Sequence, residues 1–359
     1  MSNSLLGTNL KIEKKSFSKN ESQIIINGYG VSYGVGVKNN KIYIPEFGSG
    51  LIYTYEINTN KKNILNRKNN KLENLNLFHK IINKRIKKNI IRPHDIFVDE
   101  NSLIYVSEMG LGKAKGEGKI TVFDKEYKMI AEIGSKMHDN LGMISPVMIS
   151  KILDIYYVSE FGGHKILRFD KNFNFIDWIG QKGEIDEKII KNSWTKDKQF
   201  INVGLNKPHA VKLGPDKNLY IVDSGNHRIL RFNLKGEFNG WIGKNEKGEI
   251  NSNWNKVGET SSGHELGAFS APCDLIIFEN FLYVSEVENN RISKIGLDGK
   301  SYGWIGFDEV NNQFIWSKDI NNKIHLKHPF GIKLEKNTFF IADKGNNRII
   351  VINSDNLFK

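Results

Sequence analysis

Short apolar runs alternate with clusters of turn-forming residues along most of this chain, and residues 206–243 show the rhythm most plainly. An apolar run over 209–213 meets Gly214-Pro215-Asp216-Lys217-Asn218, where proline fixes φ and Gly, Asp and Asn accept turn geometry. A second run over 219–222 ends at Asp223. Ser224-Gly225-Asn226-His227 then turns the chain into 228–233, and Lys235-Gly236 turns it into 238–243. Four short strands in about 36 residues is the size of one propeller blade. A single blade cannot bury both of its faces, so the pattern predicts further copies.

Three marks identify those copies: a proline at the start, an acid closing the second strand, and an Ile-Gly ending. They place blades at about 92–134, 145–180, 206–243 and 271–306. Residues 327–359 hold three strands and stop. Residues 32–65 are a weaker first copy, with a fourth strand near 63–65. The strand missing from the last copy is supplied by 22–30, directly before the first copy, and Gly30 stands where Gly180, Gly243 and Gly306 stand. The prediction is an all-β, six-bladed propeller of four-stranded blades. It forms one domain over 22–359, and an N-terminal strand completes the last blade and closes the ring. Closure removes the free edges and apolar faces of an open stack. Residues 1–21 are expected to be an arm along the outer strands or a disordered tail.

Most recurring residues have structural readings. Trp178, Trp241 and Trp304 end fourth strands and fill space between blades. The acids Glu46, Glu108, Glu160, Asp223, Glu286 and Asp343 recur at one blade position, and in four copies a base follows five residues on: Lys165, Arg228, Arg291 and Arg348. That spacing crosses a tight turn, so an ion pair or a carboxylate–backbone bond is expected. A ring of catalytic acids is the alternative.

Asp223-Ser224-Gly225-Asn226-His227-Arg228-Ile229, Glu288-Asn289-Asn290-Arg291-Ile292 and Asp343-Lys344-Gly345-Asn346-Asn347-Arg348-Ile349 share a motif. Leu219-Tyr220-Ile221-Val222 precedes the first of these and Leu282-Tyr283-Val284 the second. This pattern resembles the NHL-repeat family and extends over nearly the whole chain, from about residue 22. The resemblance implies a six-bladed propeller. It implies no single function, because such propellers include RNA- and protein-binding platforms as well as enzymes.

The chain has 359 residues, and its 39% hydrophobic content suits a globular protein. No apolar run approaches the roughly 20 residues of a membrane-spanning helix. The N-terminus lacks the apolar stretch of a signal peptide, and Cys273 is the one cysteine, so no internal disulfide framework exists. A soluble, cytoplasmic monomer is expected. The formal net charge is +12, and it is unevenly spread. Residues 61–92 hold eleven Lys and Arg against one acid, Glu73. Lys80, Lys84, Arg85, Lys87, Lys88 and Arg92 form a basic patch there, which either attracts anionic partners or is a solvated loop.

The resemblance implies that the first strand of each blade lines a central channel. Its start then lies at the mouth that also carries the long inter-blade insertions 58–91, 181–205, 244–270 and 307–326, the usual place for function on a rigid scaffold. Read round the ring, the first channel-facing residues are Tyr33, His94, Val147, His209, Cys273 and Phe330. His94 and His209 fall in alternate blades, and His328 lies two residues before Phe330 in the third alternate blade. Imidazoles converging on an axis can hold zinc or a similar ion. Cys273 could supply a thiolate, and His264 is a further conceivable ligand. The arrangement is similar to the peptidyl-hydroxyglycine amidating lyases, whose zinc histidines stand in Pro-His motifs of alternate blades. Pro93-His94 and Pro208-His209 match two of these motifs. The third position is Phe330 here, so the set is complete only if His328 or Cys273 substitutes.

Two other stretches carry less. The glycines and lysines of 110–118 sit between strands, so the phosphate cradle of a strand-to-helix loop is absent. Leu72, Leu75, Ile82 and Ile86 have helical spacing and predict a short amphipathic helix on the rim. No Gly-x-Ser-x-Gly elbow occurs. Two functions remain. One is a binding scaffold that uses its loop-bearing basic face, its channel mouth and the insertion tryptophans Trp194, Trp254 and Trp316. Its partner would be a protein, a glycan or another anionic ligand, nucleic acid included. The other is a metal-dependent lyase or hydrolase at the channel mouth, with zinc or calcium held by His94, His209 and His328.

Overall fold

The computed structural model describes residues 11–16, 22–27, 32–59, 61–65, 92–110, 118–134, 143, 145–180, 204–250, 253–256, 258–308, 313–317 and 326–354. Six antiparallel sheets follow one another round a ring. Blade one is Gly36–Lys38, Lys41–Glu46, Leu51–Glu56 and Lys61–Leu65; blade two is Pro93–Val98, Ile104–Glu108, Lys119–Phe123 and Met129–Gly134. Blade three is Pro146–Ile152, Ile155–Glu160, Lys165–Phe169 and Phe175–Gly180; blade four is Pro208–Leu213, Asn218–Asp223, Arg228–Asn233 and Phe238–Ile242. Blade five is Pro272–Phe278, Phe281–Glu286, Arg291–Gly296 and Ser301–Asp308, and the insertion adds a fifth strand, Gln313–Ser317.

Blade six takes Pro329–Glu335, Thr338–Asp343 and Arg348–Asn353 from the C-terminus and Ser22–Asn27 from the N-terminus. Ile24 pairs with Val351 and Ile26 with Ile349, so the expected closure is present. Lys11–Ser16 adds an outer fifth strand in antiparallel register with Ser22–Asn27, within the stretch expected to be an arm or a tail.

Blades stack face to face, so the middle strands bury both faces and lose polar alternation. The second strands Asn218–Asp223 and Phe281–Glu286 are buried from their second residue to their last. Six apolar clusters result, one between each pair of neighbouring blades. Trp178 joins the cluster between blades two and three, and Trp241 that between blades three and four. The cluster between blades six and one includes Ile26, Val35, Ile42 and Ile349, so the closing strand also seals a core.

Four of the recurring acids staple their blade to the loop that enters it. Asp223 accepts the Asn206 N–H at 2.7 Å, Asp343 that of Lys327 at 2.7 Å, Glu286 that of Ser270 at 3.1 Å and Glu160 that of Ser145 at 2.6 Å. The basic partners close the same units: Arg228 Nε lies 2.7 Å from Asp223, Arg291 Nε 2.8 Å from Glu286 and Arg348 Nε 2.5 Å from Asp343. These carboxylates are buried and already bonded, so they serve the scaffold rather than forming a catalytic ring. Buried pairs of this kind fix register more surely than they add stability.

A second staple links neighbours. His164, His227 and Asn290 adopt left-handed φ values of 56°, 51° and 54° after the second strand of their blades. Their side chains accept the N–H of Lys207 (3.2 Å), Ala271 (3.1 Å) and His328 (2.8 Å), the residues before the next blade's proline.

The six first strands touch in a closed ring about the axis. Five of them start at a proline, and each of these five carries a register shift just after it. Such a bulge breaks the two-residue alternation. In blades four and six a residue next to the proline and another three positions on therefore both reach a cavity on the axis: His209 and Lys212, Phe330 and Lys333.

Candidate functional site

At the mouth where the first strands begin lies a cavity of about 480 Å³. All six residues expected there, Tyr33, His94, Val147, His209, Cys273 and Phe330, line it. Phe47, Phe161, Ser224, His227 and Glu288 join them from the turns after second strands and from neighbouring segments.

The rings form one connected set. Tyr33 stacks on His94 with centroids 4.7 Å apart, and Phe47 meets Tyr33 at 5.0 Å. Phe330 stands edge-on to Tyr33 at 5.0 Å, to His94 at 5.1 Å and at a similar tilt to His209 at 5.3 Å. Phe161 closes the far side at 5.3 Å from His209. The two imidazole centroids are 6.2 Å apart.

Hydrogen bonding settles the tautomers. His94 Nδ1 is 3.0 Å from the Val147 carbonyl and His209 Nδ1 is 3.1 Å from the Lys207 carbonyl. A carbonyl only accepts, so Nδ1 carries the proton in both rings and Nε2 keeps its lone pair. Neither Nε2 bonds to a described residue. Burial holds His94 well below its ordinary pKa, helped by the neighbouring His209, and burial lowers His209 to about 4. At neutral pH both are uncharged acceptors.

The donor set does not fit a zinc centre of the kind the resemblance implies. Phe330 presents carbon to both imidazoles where a third nitrogen is needed. His328 is exposed and does not line the cavity; it is the residue before Pro329, in register with Arg92, Lys207 and Ala271, and φ is positive at all four. The Cys273 thiol donates to the Ala271 carbonyl at 3.5 Å, and burial, with the Asp274 charge, drives its pKa up, away from the thiolate form. His264 is exposed and holds Arg291 through its carbonyl at 2.6 Å. Among the described residues no group of three or more His, Cys, Asp or Glu is placed to hold an ion.

Cations ring this mouth, each over an aromatic face. Lys344 Nζ lies 4.3 Å from the Tyr33 centroid, Lys207 Nζ 5.5 Å from Phe161 and the Arg92 guanidinium 5.7 Å from Phe47. Of the basic patch, Arg92 is therefore at the site. Lys80, Lys84, Arg85, Lys87 and Lys88 lie outside the described residues, as do Trp194, the 72–86 segment and most of the 110–118 loop. Trp254 is half-buried between blades four and five. Its indole N–H donates to the Leu297 carbonyl at 2.9 Å, and Arg231 covers its ring at 4.3 Å, so it packs the rim rather than presenting a free surface. Trp316 stays partly exposed on the fifth strand of blade five.

Below the cavity the channel is crossed by an ionic bridge that sequence reasoning missed. Lys333 Nζ lies 2.7 Å from Asp274 and 3.3 Å from Asp95, joining blades six, five and two. Asp274 also accepts the N–H groups of Leu275 (2.9 Å) and Ile332 (3.0 Å). Burial opposes charge on Lys333, but the two carboxylates more than offset it and raise its pKa. Burial pushes Asp95 up, against the pull of Lys333. The signal available in the sequence was an aspartate directly after the ring residue in two copies, His94-Asp95 and Cys273-Asp274. Gly34 makes room for this bridge, since a Cβ there would sit 2.1 Å from Asp95 Oδ1.

Comparison with known proteins agrees with the architecture. The NHL repeat model matches residues 205–232. No curated protein matches the sequence. Virginiamycin B lyase from Staphylococcus aureus is a similar solved structure, with a TM-score of 0.50, 14% identity, and 93% of this chain and 99% of that chain covered. An auxiliary nutrient binding protein from Bacteroides thetaiotaomicron aligns with a TM-score of 0.56 at 11% identity, over 94% of this chain and 78% of that one. A chain of a nidogen/laminin complex aligns at 0.51 and 12% identity, over 85% and 91%. At such identities the likeness shows the fold alone. The chain is a six-bladed propeller with an NHL repeat in blade four, and no helix among its described residues is long and apolar enough to cross a membrane.

Proposed function

We propose that this propeller is a binding scaffold whose ligand enters the channel mouth: a small molecule, or a side chain of a protein or glycan partner, with a flat apolar body and an anionic group. One observation carries the reading. The aromatic set around Phe330 offers flat apolar walls, and Arg92, Lys207 and Lys344 stand over those same rings at the entrance. The two Nε2 acceptors at the wall then select for a donor on the ligand. The size suits a small ligand, since pockets of about 300–1,000 Å³ hold such molecules. The positive insertion between blades one and two would add long-range attraction for an anionic partner.

The test is calorimetric titration with naphthalene-2-carboxylate and with naphthalene. Saturable one-to-one binding of the carboxylate, weakened about tenfold by Lys344→Gln and by raised salt, is the expected result. Equal affinity for both compounds removes the role of the cations, and absence of binding removes the reading.

A second reading rests on the neutral imidazoles. Two uncharged Nε2 acceptors in a cavity walled by aromatic rings are placed for general-base work, and one structural neighbour is a virginiamycin B lyase. Consumption of virginiamycin B by the protein, lost in both His94→Ala and His209→Ala, would favour it over simple binding.

A further inference from the structure

Beside its ring of cations the channel mouth carries an acid. Glu288 is the one carboxylate among the described residues that line the cavity. It stands exposed in the turn after the second strand of blade five, and Lys344 holds the corresponding turn of blade six. Ser270 Oγ donates to Glu288 Oε2 at 2.5 Å, and Oε1 has no bond to any described residue. Burial raises the pKa of the Cys273 thiol; the charges of Asp274 and Glu288 add to the rise and that of Lys344 opposes it. The two turns therefore bring opposite charges to the same stretch of the cavity wall.

These charges do not pair with each other. Lys344 Nζ stands 4.3 Å from the Tyr33 ring centroid and 6.0 Å from that of Phe330. Among the described residues no ion pair joins Glu288 to Lys344, Lys207 or Arg92. A purely anionic ligand meets the cations but is repelled by Glu288, and a purely cationic one meets the reverse. A ligand that carries both signs satisfies both and leaves the charge balance of the mouth unchanged. An α-amino acid holds its ammonium and its carboxylate on one carbon, so turns of two adjacent blades can grip both while the side chain goes down among the rings. A residue inside a peptide carries neither charge, and a terminal residue carries one of them.

We propose that the mouth binds a free aromatic α-amino acid, which seats its ammonium on Glu288, its carboxylate on Lys344 and its ring among Tyr33, His94 and Phe330. A ring-borne N–H or O–H meets the free Nε2 of His94 or His209. This inference rests on the binding function proposed for the same mouth and narrows its ligand to a zwitterion.

Calorimetric titration of the full chain with tryptophan, indole-3-propionate and tryptamine tests it, since the second compound lacks the ammonium and the third the carboxylate. Tryptophan should bind one-to-one and about tenfold more tightly than either, the gain of one charge-assisted hydrogen bond. Glu288→Gln keeps the shape of the side chain. It should weaken tryptophan about tenfold and leave indole-3-propionate nearly unchanged. Lys344→Gln should weaken tryptophan and indole-3-propionate and spare tryptamine. Equal affinity of the wild-type protein for tryptophan and indole-3-propionate overturns the inference, as does a Glu288→Gln variant that weakens both alike. Either result leaves the binding of aromatic carboxylates standing. Tryptophan that does not bind also overturns it, and if naphthalene-2-carboxylate fails as well, the proposed binding function falls with it. If Glu288→Gln does not fold, the three-ligand comparison on the wild-type protein decides the matter.

Discussion

Phe330 stands edge-on to His94, with ring centroids 5.1 Å apart at 75°. The same phenyl ring lies 5.3 Å from His209, so it occupies the vertex that a third ligand would need. Substituting Phe330→His places a third imidazole beside the two whose Nε2 lone pairs are already free. Zinc should then stabilise the variant, by about 3 kcal/mol at a hundredfold excess over its dissociation constant. The wild-type protein should gain nothing under the same conditions. Thermal melts with and without zinc, on protein lacking a histidine tag, make the comparison.

Both mouth histidines are neutral in the folded protein, and His209 stays so down to about pH 4. In the unfolded chain a histidine takes up its proton near 6.5. Above that value neither state is protonated and the contribution of these groups to stability is complete. As pH falls from about 6.5 toward 4 the unfolded state binds protons that the folded state refuses, so stability is lost across that window. The expected loss for His209 alone is about 3 kcal/mol. His209→Gln should flatten the slope of urea-unfolding stability between pH 6.5 and 4. An unchanged slope means that the imidazole is solvated and the cavity wet.

The ring, the blade boundaries and the channel mouth were legible because each blade repeats one local solution. A proline opens the first strand, an Asp or Glu closes the second, and these marks survive in isolated sequence. Tyr33, His94, Val147, His209, Cys273 and Phe330 could be placed because each occupies the same repeat position. Asp95, Asp274 and Lys333 could not be assembled the same way. Their partnership is set by the axis, which brings together residues more than 200 positions apart, and by a bulge that overrides simple alternation. His328 misled for a related reason. It is a histidine next to a proline, but it precedes that proline, and the left-handed turn at this position points it outward.

The Lys333 bridge gives a sharp energetic expectation. Lys333→Met removes the cation that bridges two buried carboxylates and leaves only the more distant charge of Lys212 near them, and breaking a buried ionic group in this way costs about 3–5 kcal/mol. The deficit should shrink at acidic pH. Without their cation the carboxylates have raised pKa values in the folded state, so protonation there stabilises the fold relative to the unfolded chain. Adding Asp95→Asn and Asp274→Asn to Lys333→Met should recover part of the loss at pH 7, and the recovery should vanish near pH 4. Urea unfolding of the single and triple variants at the two pH values reads this directly.

Ring closure separates the two N-terminal strands by importance. Among the described residues Lys11–Ser16 pairs only with Ser22–Asn27, on the outside of blade six. Ser22–Asn27 pairs with Arg348–Asn353 and sends the fully buried Ile26 into the cluster between blades six and one. Removing residues 1–21 therefore strips the Lys11–Ser16 edge and deletes no residue that the described inter-blade clusters contain. Removing 1–31 deletes Ile26, unpairs the edge of Arg348–Asn353 and opens the seam between the last blade and the first. The shorter deletion should melt within a few degrees of the full chain, a shift that corresponds to about 1–2 kcal/mol for a protein of this size. The longer one should unfold cooperatively at a much lower temperature or aggregate, because an exposed apolar edge strand pairs with other chains. Circular dichroism melts and size-exclusion chromatography of the two truncations distinguish these outcomes. Equal behaviour of both would mean that the ring is held by the first strands about the axis rather than by the shared sixth blade.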